Sequence, residues 1–134
     1  MDLVAELDDL GVVGHVMISR VLLQSPGGGE RSIVMLSPLA VAPAVQRRGL
    51  GGDLVRAATT IAAQRGEPLV VLEGSPAYYS RFGFVAASAH GITLPLPDWA
   101  PPAAAQVMLL DSYDRTDESL RGTVAYPPAF DGLE

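Results

Sequence analysis

The sequence predicts a mixed α/β domain, with a sheet of antiparallel strands that ends in a parallel pair and packs on one long helix. Three features predict it. Segments rich in β-branched residues, separated by short turns, fill the first third of the chain. Apolar residues at helical spacing follow over 49–65. A compact apolar run, Leu69-Val70-Val71-Leu72-Glu73, comes next, and strand, helix and strand in that order make a crossover whose strands lie parallel. At 134 residues and 49% hydrophobic, the chain suits one core. A single domain is therefore expected over 1–134, with antiparallel strands at 3–45, a βαβ core at 46–88, and strands and loops at 89–134.

In chain order, residues 3–7 read as a short strand, Asp8-Asp9-Leu10-Gly11 as a turn and 12–23 as a long strand, together a hairpin. A glycine-rich loop over 24–30 leads to a third strand, 31–42, closed by Pro43. In the helix, Leu50, Leu54, Val55, Ala58 and Ile61 form the apolar stripe, and Gly66 stands as its C-cap. The strand 69–73 has no polar alternation and fits burial on both faces. Ser75 before Pro76 is an N-cap and first-turn pair, so a short helix is expected over 77–82, ended by Gly83. Strands are expected at 84–87, 106–110 and 122–126, with the proline-rich 95–102 segment as a connection.

Composition narrows the chemistry. Without cysteine there is neither a disulfide framework nor a thiolate nucleophile. The net charge of −6 argues against a nucleic-acid partner, which calls for a basic surface. No apolar run approaches the ~20 residues that span a bilayer, and the first residues lack the pattern of a secretion signal, so a cytoplasmic protein without a membrane partner is expected. All nine basic residues are arginines, and two are adjacent in Val45-Gln46-Arg47-Arg48-Gly49-Leu50-Gly51-Gly52. There a strand runs through glycines into a helix, an arrangement whose uncovered N–H groups and positive dipole end cradle an anion. A phosphorylated ligand is the expectation, and a tight structural turn is the alternative.

Other phosphate and hydrolase chemistries do not fit. A P-loop needs a lysine, which the chain lacks. The glycine spacing after Gly49 breaks the dinucleotide-binding pattern. Gly74-Ser75-Pro76 is not a nucleophile elbow, and no histidine pair has metal-ligand spacing, so no metal is expected.

Gln46-x-x-Gly49-x-Gly51 resembles the acetyl-coenzyme A (acetyl-CoA) signature of the GNAT superfamily of N-acetyltransferases. Glu73-Gly74-Ser75-Pro76-Ala77-Tyr78-Tyr79-Ser80-Arg81-Phe82-Gly83-Phe84 looks like the family's later motif, with a tyrosine four residues before a Gly-Phe pair. Residues 122–130 are similar to the ending of one bacterial branch. The resemblance implies a GNAT-like acyl-CoA N-acyltransferase fold that lacks the usual N-terminal strand and helices. It implies acetyl transfer from acetyl-CoA to a primary amine, on a small molecule or a peptide, by direct attack.

By the same resemblance, the backbone of Leu39 and Val41 would pair with the pantetheine arm. Gln46, Arg47, Arg48, Gly49, Leu50, Gly51 and Gly52 would hold the pyrophosphate, Ser75 would touch the cofactor, and Tyr79 would contact it and act as general acid. Tyr78, spaced to pair with Phe82, reads as a packing aromatic. Glu73, His15 and His90 are the candidate general bases, and each has a structural role as its alternative. The open edge left by a missing strand suggests a homodimer. The competing function is a non-catalytic acyl-CoA-binding or structural module with an incomplete acceptor site.

Overall fold

The computed structural model describes residues 2–7, 11–41 and 50–125, and their side chains over 17–37 and 52–125. Strands β1 (Asp2–Leu7), β2 (Gly11–Gln24) and β3 (Glu30–Val41) come first, followed by helix α1 (Leu50–Gln64) and strand β4 (Leu69–Glu73). Helix α2 (Pro76–Tyr79) and strands β5 (Val85–Ala86), β6 (Ile92–Thr93), β7 (Ala105–Leu109) and β8 (Gly122–Ala125) complete the order. They form one mixed sheet in the order β5-β7-β4-β3-β2-β8-β6, with β1 also paired to β2. The expected antiparallel start and the expected parallel β3–β4 pair are both present.

Alternation along the central strands builds two cores, one on each face of the sheet. Val34 and Leu36 of β3 and Val70 and Leu72 of β4 face α1, where they meet Leu54, Val55, Ala58 and Ala62. Ile33, Met35, Leu69 and Val71 point the other way, toward Ile92, Leu94, Val107 and Leu120. This two-sided burial is why β4 is apolar throughout. Ile61 departs from the expected stripe: it is half-buried, and Ala62 takes the buried position.

Helix α1 ends as its sequence suggests. Gly66 adopts φ 76°, the Gly66 N–H donates to Ala63 O at 3.0 Å, and the Glu67 N–H reaches back to Ala62 O at 3.1 Å. This pairing satisfies the last-turn carbonyls. Arg20 on β2 then grips Glu67 through two 2.7 Å hydrogen bonds, pinning the helix-to-β4 connection to the sheet.

The second half departs more from expectation. The helix foreseen over 77–82 divides into α2 and a 3-10 turn, Ser80–Phe82, stopped by Gly83 at φ 101°. The strand foreseen over 84–87 shrinks to β5, because the chain turns at once into a 3-10 segment, Ala87–His90, that buries Ala87. Strand β6 was not expected, since two residues carry no periodicity; its pairing with β8 creates it. Strands β7 and β8 match the expected segments to within a residue, and Tyr126 lies outside the described residues.

Candidate active site

The parallel strands β3 and β4 share two register pairs, Val34 with Val70 and Met35 with Val71. Beyond them β3 continues to Val41 beside β2, while β4 stays zipped to β7 through Leu72 with Gln106 and Glu73 with Ala105. The sheet therefore splits at the carboxyl ends of its parallel strands, where ligands of open α/β sheets sit. A bulge lies along this split. His15 pairs with Ala40 and Val16 with Pro38, so Leu39 is the extra residue, without a register partner on β2. Pro38 has no N–H to give to the ladder, which is why an irregularity is tolerated there.

At the same end of β4 stands the aromatic segment. The oxygen of Ser75 accepts a 3.4 Å hydrogen bond from the Tyr78 N–H and caps α2. Tyr79 is buried at 8% exposure, with Tyr78, Phe84 and Phe82 around it at ring-centroid distances of 4.8, 6.0 and 6.4 Å. Tyr78 pairs edge-on with Phe82 at 5.4 Å, as its spacing suggests. Of the two tyrosines Tyr79 is the more enclosed, and Tyr78 is half-buried. Desolvation, with a smaller contribution from Tyr78, raises the Tyr79 phenol above its ordinary pKa of 10.0. The phenol therefore carries a proton at neutral pH.

Two glycines set this ring's position. A Cβ on Gly74 would lie 2.5 Å from Tyr79 Cε2 and 3.0 Å from Cδ2, so the ring occupies the space that a side chain would fill. The backbone of Gly74 is held on both sides: its N–H donates to Ala104 O at 3.0 Å, and its carbonyl accepts from the buried Gln106 Nε2 at 2.9 Å. A Cβ on Gly52 would lie 3.2 Å from the Phe82 ring, so the first turn of α1 packs directly on the segment that carries Tyr79. The two segments singled out by pattern, around Gly51 and around Tyr79, thus meet through Gly52 and Phe82.

The remaining sequence candidates divide by position. Leu39 and Val41 lie on the β3 side of the split, Leu50 and Gly51 open α1, and Gly52 is buried. Gln46, Arg47, Arg48 and Gly49 lie outside the described residues, as does most of the 122–130 ending. Glu73 closes β4 beside the site. His15 stands opposite Ala40, next to the bulge, and its side chain is outside the described set. His90 is remote from Tyr79. It packs on Tyr113 at 6.2 Å in a cavity of about 630 Å³ that Leu109 also lines, and Leu109 pairs with Leu69 at the opposite end of β4. Gly74, Phe82 and Gln106 escaped the sequence reading as site residues. The one available signal was a glutamine inside an otherwise apolar strand.

Among the described residues no cluster of side chains suits a metal ion, and no helix is long and apolar enough to cross a membrane. The family model described as an acetyltransferase (GNAT) domain matches residues 3–87. Among curated proteins, the chain is 37% identical over 92 residues to the uncharacterized N-acetyltransferase YhbS of Escherichia coli K12. That match covers 69% of this chain and 53% of YhbS, so the chain spans about half the length of the curated relatives it matches. The crystal structure of E. coli YhbS in complex with CoA superposes with a TM-score of 0.77 at 32% identity, covering 97% of this chain and 68% of that one. A GNAT family acetyltransferase from Brucella melitensis, in complex with acetyl-CoA, gives 0.69 at 34% identity with the same coverage.

Proposed function

Since the chain belongs to the GNAT acetyltransferase family, we propose that it transfers the acetyl group of acetyl-CoA to a primary amine by direct attack. The observation that carries this reading is the buried Tyr79, packed against Gly74 at the end of β4 where β3 and β4 split, beside Phe82, which touches the first turn of α1. The two relatives with coenzyme A or acetyl-CoA in their crystals support the choice of donor.

In this proposal the bulged backbone at Leu39, with Val41 beyond it, pairs with the pantetheine arm as an added strand would. Amides from Arg47 to Gly52, with Gln46 before them, hold the pyrophosphate at the N-terminus of α1, where unpaired donors and the helix dipole favour an anion. The Ser75 oxygen is engaged in its cap, and its O–H is the group it would offer to the cofactor. The amine nitrogen forms a bond to the thioester carbonyl as the carbon–sulfur bond breaks. Tyr79 donates its proton to the departing sulfur, and the amine proton passes to water or to a nearby base. Glu73 is the described carboxylate at that end of β4.

The acceptor is a small-molecule or peptide amine, and the setting is the cytoplasm. Calorimetry with acetyl-CoA, followed by an amine panel assayed for released thiol, tests the proposal. Binding and turnover are expected. Binding without turnover on any amine would leave a coenzyme A-binding module, and no binding would sink both readings.

A further inference from the structure

We propose that Arg56 and Arg81 form a phosphate clamp beside the α1 N-terminus that takes the ribose 3′-phosphate of coenzyme A, an inference that rests on the acetyl-CoA reading above. Arg56 lies in the second turn of α1, one turn beyond Gly52, yet its guanidinium folds back: Nη1 lies 3.3 Å from where a Gly52 Cβ would be. That places a cation at the positive end of a helix dipole, a position that costs energy unless an anion sits there. The local carboxylate does little to offset it. Asp53 meets Arg56 at 3.5 Å, and both side chains are exposed, so the pair is weak.

What holds Arg56 in place is an aromatic ring. Its guanidinium carbon stands 5.0 Å from the centroid of Phe82. Arg81 repeats the arrangement on the adjoining ring, 5.0 Å from the centroid of Tyr78, and Tyr78 and Phe82 are themselves 5.4 Å apart. A guanidinium held over a ring face keeps N–H donors for another partner and is partly ordered in advance, which removes part of the ordering cost of binding.

Two other described arginines are committed elsewhere: Arg20 is bidentate on Glu67, and Arg31 bonds Asp117 and Ser119. Arg81 has no ion pair among the described residues. Arg56 at the helix start and Arg81 on the adjoining ring, in a chain of net charge −6, offer two cations to a dianionic phosphate beyond the pyrophosphate.

The test is calorimetry of acetyl-CoA and its 3′-dephospho derivative with the parent protein, Arg56→Met, Arg81→Met and the double variant. Methionine keeps the aliphatic stem and removes the charge. The parent is expected to prefer acetyl-CoA by about tenfold or more, each single variant to lose part of that preference, and the double variant to bind both ligands alike. Because the readout is a ratio within one preparation, a partly folded sample does not mimic the result. Should Arg56→Met fail to fold, Arg56→Lys keeps the charge, loses the fork, and is expected to narrow the ratio. Equal affinities in the parent, or a ratio that survives the double substitution, would overturn the clamp while leaving the acetyl-CoA reading intact. No heat with either ligand would overturn that reading and the clamp together.

Discussion

At the scale of single residues, the proposed chemistry rests on Tyr79. Tyr79→Phe keeps the ring among Tyr78, Phe82 and Phe84 and removes only the proton donor, so turnover should fall by about 10²- to 10⁴-fold while the affinity for acetyl-CoA holds. Steady-state kinetics beside calorimetry separates the two, and unchanged turnover would take Tyr79 out of the mechanism. Burial raises this phenol, so the folded state keeps its proton more tightly than the unfolded chain does. Its contribution to stability is therefore complete below pH 10, the ordinary phenol value, and is lost as pH rises through the folded-state value. The alkaline limb of turnover should accordingly lie above pH 10 and vanish in Tyr79→Phe. Gly74→Ala makes a different test. Its Cβ would press on the Tyr79 ring at 2.5 Å, and overpacking of this kind costs about 1–3 kcal/mol. Both melting temperature and turnover should drop, and a variant with parental turnover would mean that the ring position is not critical.

Among the elements, those written by local chemistry were legible in the sequence. Helix α1 was foreseen by spacing and ends at Gly66 because a left-handed residue was needed there. Strand β4 was foreseen by its unbroken apolar run, and Ser75 with Pro76 by capping. Strand β5 was foreseen but drawn too long, and β6 was not foreseen, because a pair of residues has no period and only the partner strand sets its extent. The Arg20–Glu67 clamp was equally invisible, since its partners are 47 residues apart. Replacing Arg20 by methionine leaves the Glu67 carboxylate, 10% exposed, without its two charged donors. The expected loss is about 1–3 kcal/mol in urea unfolding. An unchanged midpoint would show that water replaces the guanidinium at no cost.

For the whole molecule, the sheet separates a core that supports the site from one that does not. Leu72 packs on the α1 face together with Tyr79, and Leu69 packs on the opposite face; both are fully buried. Leu69→Ala and Leu72→Ala should therefore cost similar stability, about 2–5 kcal/mol each. Only Leu72→Ala should also lower the turnover of the folded fraction, because it removes support beside Tyr79. Equal activities in the two variants, measured at a temperature where both are folded, would refute this division.

The sequence by itself determined the βαβ crossover, the helix that opens on the glycine-arginine segment, and the two motifs that name the family. These are short-range patterns of polarity, turn chemistry and capping, legible residue by residue. Tertiary structure alone decided the rest. It split β3 from β4 after two register pairs and left Leu39 unmatched. It also set Phe82 on Gly52 and closed Tyr79 against Gly74. Each of these depends on which distant backbone lies alongside. A linear pattern carries no record of strand register or of the space that a missing Cβ leaves for a neighbour's ring.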